Sequence, residues 1–401
     1  MVSRLFRTTA ARIAKGVDLT FAGLALNPSA SLRRKSSAEG LGHAARLLGL
    51  HTIAAFYNRE ALAAPRSFFP QPPAMMPTLT RVRTLEWGGA SGEVLDLAWP
   101  SAFTPLWTRD AVGAAIEAMP ARAREEMGLE QDQSVAAAMH RIGLDRSGDL
   151  VVKYMAARRN QTARARWYRH TDGPKPCVAV LHGYMTGAFA LEERLWPVRK
   201  MFESGLDVAL TVLPFHGPRR SETRGLRPPA FPSGDPRFTI EGFRQLVSDH
   251  EALFDYLLDG RVASMGVMGM SLGGYGAALL STLDARLKFG VFVIPLAAIE
   301  DFAHTHGRFT GDAQEQSAQR SALQRAQSQI SPLTRPPLLR GDQIIVVAGE
   351  SDWVTGLRHA QRLSAHFDAK TVTFEGGHLL QFGLGRTVGA AWDILRTNGH
   401  V

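Results

Sequence analysis

From residue 177 onward the chain alternates between two kinds of hydrophobic pattern. "CVAVLHG" (177–183), "VALTVLPFHG" (208–217), "VASMGVMGMS" (262–271), "FGVFVIPLA" (289–297) and "QIIVVAGESD" (343–352) are short apolar runs, rich in Val and Ile, with almost no polar alternation. Strands covered on both faces read this way, as in a parallel sheet. Between them lie stretches of helical period. Within 240–258, for example, Ile240, Phe243, Leu246, Val247, Leu253, Phe254 and Leu257 fall on one side. Repeated β-α-β units of this kind predict an α/β fold with an open, doubly wound, mostly parallel sheet. Upstream, 83–101 reads as strand, Gly-containing turn, strand, and "TARARWYRH" (162–170) alternates like a further strand. Residues 109–143 read as a helical insert, and a last strand is expected in "KTVTFEGG" (370–377).

In open α/β sheets, sites gather beyond the carboxyl ends of the strands, so the residues at those ends carry the functional information. They are His182-Gly183-Tyr184-Met185, His216-Gly217-Pro218-Arg219, Met270-Ser271-Leu272-Gly273, Glu350-Ser351-Asp352 and, after the last strand, His378. A serine, an acid and a histidine therefore follow one another in chain order, each just past a strand. On the residues alone, Glu350 competes with Asp352 for the acid. His182 reads as a structural residue that hydrogen-bonds its own loop.

Gly269-Met270-Ser271-Leu272-Gly273 matches G-x-S-x-G, the strand-to-helix elbow that holds a nucleophilic serine, and residues 83–401 resemble the α/β-hydrolase superfamily. The resemblance implies a serine nucleophile at Ser271, a general base at His378 and an orienting acid at Asp352. It also implies an oxyanion hole from the backbone N–H groups of Leu272 and Tyr184, with Met185 as the near alternative. The chemistry needs each part. A serine at its free pKa is a poor nucleophile until a base takes its proton, and the oxyanion needs donors already in place. The His-Gly-Tyr loop is similar to that of acetyl esterases, dienelactone-hydrolase relatives and prolyl-oligopeptidase-like enzymes. No cofactor and no metal are implied.

Composition narrows the picture little. At 401 residues, 45% hydrophobic and 21% charged, the chain can form one or two globular domains. Its single cysteine, Cys177, heads an apolar run and reads as a buried structural thiol. No apolar run reaches the ~20 residues that span a bilayer, and the basic residues are not interleaved with stacking aromatics as in a nucleic-acid module.

Charge adds more. Of the net +9, most lies in residues 1–58, which hold eight Lys/Arg against Asp18 and Glu39. There Leu5, Phe6, Ile13 and Val17 can share one helical face, so peripheral contact with an anionic membrane is one expectation and docking on the parent domain the other. The expected organisation is a basic N-terminal extension and Pro-rich linker over 1–80, then an α/β-hydrolase domain over 81–401, with a helical cap at 297–340. A cytoplasmic location, with membrane association as an option, goes with it. Arg219, Arg220, Arg224 and Arg227 could bind an anionic substrate group, or form a solvated or salt-bridged loop. Gly383-Leu-Gly385 resembles a dinucleotide loop only in part and is expected to cap or pack.

These readings converge on a serine hydrolase that cleaves a small carboxylic ester through an acyl-enzyme. A peptidase or amidase of the same fold is the first alternative. A non-catalytic protein of this fold working at a membrane surface is the second.

Overall fold

Among the described residues, nine strands form one sheet: β1 (Thr78–Trp87), β2 (Ala90–Pro100), β3 (Thr162–His170), β4 (Pro176–Leu181), β5 (Asp207–Thr211), β6 (Ser264–Met270), β7 (Leu287–Val293), β8 (Ile344–Gly349) and β9 (Lys370–Phe374). The computed structural model describes residues 2–21, 43–108, 150–222 and 227–401, with positions 110, 111, 113, 114, 121 and 125 besides. The insert expected at 109–143 lies almost wholly outside the described residues, and so does Arg224.

The strand order is β1-β2-β3-β5-β4-β6-β7-β8-β9. β1, β2, β3 and β5 pair antiparallel in succession, and every pair from β5 through β4 to β9 is parallel. Each apolar run of the sequence is one of these parallel strands, and β4, β5 and β8 are buried nearly throughout.

Alternation along β4 separates two cores. Cys177, Ala179 and Leu181 face one, while Val178 and Val180 face the other. On the first face pack helices Pro236–Leu258, Leu272–Leu280 and Leu357–Phe367. On the second pack Val198–Glu203 and Leu384–Thr397. Burying one large apolar side chain such as Phe243 or Phe254 contributes about 1.5–3 kcal/mol, and both are fully buried. Cys177 is also fully buried, and burial pushes its thiol well above the usual range.

The N-terminal region is part of this packing. Phe56 and Tyr57, from helix His43–Tyr57, and Phe68 and Phe69, inside the stretch expected as linker, are buried in the first core. Tyr57 donates to Glu241 at 2.7 Å, and Arg66 reaches Glu251 at 2.7 Å. Helix α1 (Val2–Phe21) presents Ala14 and Asp18 inward, both fully buried, whereas Ile13 and Val17 are exposed. Two of the apolar positions read from the sequence, Ile13 and Val17, therefore point away from the protein.

Between β7 and β8, where a cap is expected, lie helices Ile299–Thr305 and Ala313–Ala326. Phe302 of the first packs against buried Val354, as does Tyr184. Gly383, in the left-handed region with φ 94°, caps helix Leu384–Thr397 as expected. No helix among the described residues is long and apolar enough to cross a membrane.

Candidate active site

Ser271 sits between β6 and helix Leu272–Leu280 with φ 56° and ψ −112°. A non-glycine residue held there stores on the order of 1–3 kcal/mol of strain and persists only where its surroundings enforce it. Two glycines do so. A Cβ on Gly269 would lie 2.1 Å from the Gly273 carbonyl oxygen, and one on Gly273 would lie 2.1 Å from that of Leu181. The turn exists because neither residue has a side chain. Ser271 N–H donates to Val293 O at 2.9 Å, and Ser271 O accepts from Leu296 N–H at 3.2 Å, so the turn is tied to the end of β7.

His378 Nε2 is 2.9 Å from Ser271 Oγ, and its Nδ1 is 2.9 Å from Asp352 Oδ2. With a carboxylate on Nδ1, that nitrogen carries the proton and Nε2 is left to accept from the serine hydroxyl. Asp352 is fixed in turn. Its Oδ1 accepts from the N–H groups of Val354 (2.8 Å) and Thr355 (3.0 Å), and its Oδ2 from the Thr355 hydroxyl (2.7 Å). Glu350 is exposed and accepts from Thr373 Oγ1 at 2.9 Å. The structure thus brings Asp352 to the imidazole and leaves Glu350 outside.

The electrostatics follow. Burial disfavours a charged Asp352, yet the neighbouring imidazolium and the donors around it hold its pKa down at about 2. Burial pulls the other way on His378, but the Asp352 charge, its hydrogen bond and the Asp18 charge together raise the imidazole above its ordinary value.

The loop after β4 lies against the serine. A Cβ on Gly183 would come 3.8 Å from Ser271 Cβ. The loop is shaped by His182, whose Nδ1 bonds Gly183 O at 2.7 Å and whose Nε2 accepts from Leu213 N–H at 3.1 Å. His182 is buried, and burial lowers its pKa, so the imidazole is a neutral brace, as its sequence position suggested. Tyr184 is half-buried, and Met185 is exposed with φ 68°. Leu272 opens its helix, where the N–H has no carbonyl four residues back to bond within the helix.

The anion-binding expectation for the loop after β5 fails at Arg219. Its guanidinium is buried, donates to Val212 O (3.0 Å) and Asn160 O (2.9 Å), and lies 2.8 Å from Asp249 Oδ2, an ion contact without an aligned hydrogen bond. Arg220 donates to Arg227 O within the same loop. These cations brace the fold.

Three supporting residues escaped the sequence reading. Thr355 donates its hydroxyl to Asp352, with Ile294 O a further 3.2 Å contact of the same oxygen. Gln381 donates to His378 O at 2.9 Å. Asp18 accepts from the backbone of His378 and its neighbours. Only Asp18 left a trace, as one of two acids in an otherwise basic segment. Among the described residues, no three His, Cys, Asp or Glu side chains are grouped so as to hold a metal ion.

No family model matches the chain. Two uncharacterized proteins of Mycobacterium tuberculosis, from strains CDC 1551 / Oshkosh and ATCC 25618 / H37Rv, are 30% identical over 234 residues. The match spans 56% of this chain and 55% of each relative, about half the length of either. Among solved structures, acetyl xylan esterase 1 from Thermoanaerobacterium sp. JW/SL YS485 superposes with a TM-score of 0.52 at 15% identity, covering 86% of this chain and 93% of that one. An acetyl xylan esterase from Paenibacillus sp. R4 gives 0.49 at 13% identity, covering 83% and 92%. The chain has the fold of the α/β-hydrolase superfamily.

Proposed function

We propose that the protein is a serine hydrolase that cleaves carboxylic esters through an acyl-enzyme on Ser271. The observation that carries the reading is the chain of two 2.9 Å contacts from Ser271 Oγ through His378 to Asp352. His378 Nε2 takes the hydroxyl proton as Oγ attacks the acyl carbon. The tetrahedral oxyanion is received by the N–H groups of Leu272 and Tyr184, with Met185 as the neighbouring donor; each such donor is worth roughly 3–4 kcal/mol. Collapse expels the alcohol, which takes its proton from Nε2–H. Water, deprotonated by the same nitrogen, then releases the acid and restores the serine. The scheme calls for no cofactor.

Ester is preferred to amide by resemblance, since the three side chains would serve either. Exposed apolar side chains next in sequence to Tyr184, Asp352 and His378, namely Met185, Trp353 and Leu379, favour a substrate with an apolar portion. A fluorophosphonate probe followed by a series of p-nitrophenyl esters of increasing chain length tests the reading. Labelling at Ser271 with turnover of short esters is expected. A folded wild type that fails to label at Ser271 rejects the hydrolase, and faster turnover of an aminoacyl anilide than of p-nitrophenyl acetate selects the peptidase or amidase instead.

One observation favours a second, compatible role. Exposed Ile13, Val17 and Leu19 lie on α1 with exposed Arg12 and Lys15. That combination suits peripheral contact with an anionic membrane surface.

A further inference from the structure

We propose that Asp18 is a positioning residue for the reaction, through which helix α1 holds in register the two loops that carry Asp352 and His378. The inference rests on the hydrolase reading above. Asp18 Oδ2 accepts from the N–H groups of His378 (2.7 Å) and Trp353 (3.1 Å), and Oδ1 accepts from that of Leu379 (3.0 Å). One carboxylate therefore bridges the loop after β8, which carries the acid, and the loop after β9, which carries the base. It comes from a helix more than 330 residues upstream.

The fit is close. Asp18 and Ala14 are fully buried, and a Cβ on Gly377 would lie 2.7 Å from Asp18 Oδ2 and 3.1 Å from Ala14 Cβ. The Lys15 ammonium lies 3.9 Å from the centroid of the Trp353 ring, a second tie between α1 and the acid's loop.

The base's loop closes on itself elsewhere. Gly376 N–H donates to Phe382 O at 3.1 Å and Gly377 N–H to Leu380 O at 2.9 Å, which leaves the N–H groups of His378 and Leu379 turned toward α1. Converging backbone N–H groups make an anion-binding concavity. Here the chain fills it with its own carboxylate. A buried carboxylate must be compensated, and three N–H donors do so. The charged and titratable groups facing His378 are then Asp352 at Nδ1, Asp18 behind its backbone and His306, whose Nε2 bonds Val354 O at 2.9 Å. Asp18 adds negative charge beside a ring that becomes imidazolium in the transition state, and its field acts with that of Asp352 to raise the imidazole. Asp18 touches neither substrate nor reacting atoms. Its effect passes through the backbone of His378 and through charge.

The test uses the full chain with Asp18→Ala and Asp18→Asn, first shown to fold by circular dichroism and thermal unfolding. Asp18→Ala should lower kcat on p-nitrophenyl acetate by about 100-fold, the loss that a displacement near 1 Å can cause, with KM little changed. Formate should restore the rate in a graded way, and neutral formamide of the same shape should not. The His378 signal, followed in 13C-histidine protein carrying Ser271→Ala and assigned by its loss in His378→Gln, should titrate at lower pH with Asn at 18. Wild-type kcat in both variants, equal rescue by formamide, or an unmoved His378 titration overturns the proposal. The titration needs no turnover. If wild type lacks Ser271-dependent activity the hydrolase reading fails, yet the titration still decides whether Asp18 acts on His378. If Asp18→Ala does not fold, Lys15→Ala supplies the test. It loosens α1 at Trp353 without touching the carboxylate, and should lower kcat in proportion to its effect on the His378 titration; a changed titration with unchanged kcat overturns the positioning role.

Discussion

Gly273 lies so near Leu181 that any side chain would strike it, since a Cβ would fall 2.1 Å from the Leu181 carbonyl oxygen and 2.5 Å from that of His182. Both obstacles are backbone, at the end of β4 where the loop that carries Tyr184 begins. Gly273→Ala should therefore force helix Leu272–Leu280 away from the sheet. A loss of about 1–3 kcal/mol in denaturant unfolding should accompany loss of fluorophosphonate labelling. Gly385, which has nothing within 4 Å of an added Cβ, is the matched control. Gly385→Ala should leave labelling intact.

The acid can be separated from its rival by rate. Asp352→Asn leaves an amide at His378 Nδ1 and favours the wrong tautomer, so kcat on p-nitrophenyl acetate should fall on the order of 10⁴-fold. Glu350→Gln alters an exposed carboxylate that meets only Thr373. Its kcat should match that of wild type. A large loss in Glu350→Gln with a small one in Asp352→Asn would exchange the two assignments.

A pH profile reads the base directly. The free imidazole must be neutral to accept the serine proton, and His378 holds its proton to higher pH than the ordinary value of 6.5. The rate kcat/KM should thus fall, as pH drops, through a midpoint above 6.5. Removing the Asp352 charge in Asp352→Asn removes the main cause of the rise, and the midpoint of the residual activity should move to lower pH.

Arg219 supplies a prediction about stability. Its ion pair with Asp249 is buried on both sides. Taking away one partner of such a pair leaves a buried charge and costs about 3–5 kcal/mol. Arg219→Ala should lower unfolding stability by that order, while acidic and neutral esters are affected equally. A selective loss on acidic esters would restore an anion-binding role.

The exposed face of α1 can be tested on vesicles. Ile13→Asp with Val17→Asp removes apolar contact without touching Ala14 or Asp18. Partition of the full chain onto phosphatidylserine-containing vesicles should drop, while kcat on a soluble ester stays constant. Equal partition of wild type and variant would dismiss the membrane contact.

The parallel strands were legible in the sequence because burial on both faces removes the polar alternation that would otherwise blur them. The order of Ser271, Asp352 and His378 was legible for a related reason: strand ends are few, and chemistry-bearing residues there are conspicuous. The choice between Glu350 and Asp352 was harder, because two acids two residues apart on a loop differ only in where the loop turns them. The N–H groups of Val354 and Thr355 fix one carboxylate oxygen of Asp352 and leave the other 2.9 Å from His378 Nδ1.

Helix α1 docks on the rest of the chain, one of its two expectations, but not through the residues that helical period picks out. Helical period finds the apolar side, but this helix docks through a small residue and a carboxylate, Ala14 and Asp18, and turns Ile13 and Val17 outward. Arg219, after β5, illustrates the converse. A cluster of charge in sequence says nothing of partners supplied from elsewhere, and Asn160, Val212 and Asp249 hold the Arg219 guanidinium away from the surface.

Cys177 carries a practical consequence. It is the chain's one thiol and is buried within strand β4, facing the first core, so maleimide reagents in native buffer have nothing to react with. A second cysteine placed at exposed Leu379, or on the outer side of α1 at Ile13, would take up a fluorophore at a single defined position, and the native background would allow the seating of the first helix to be watched in real time.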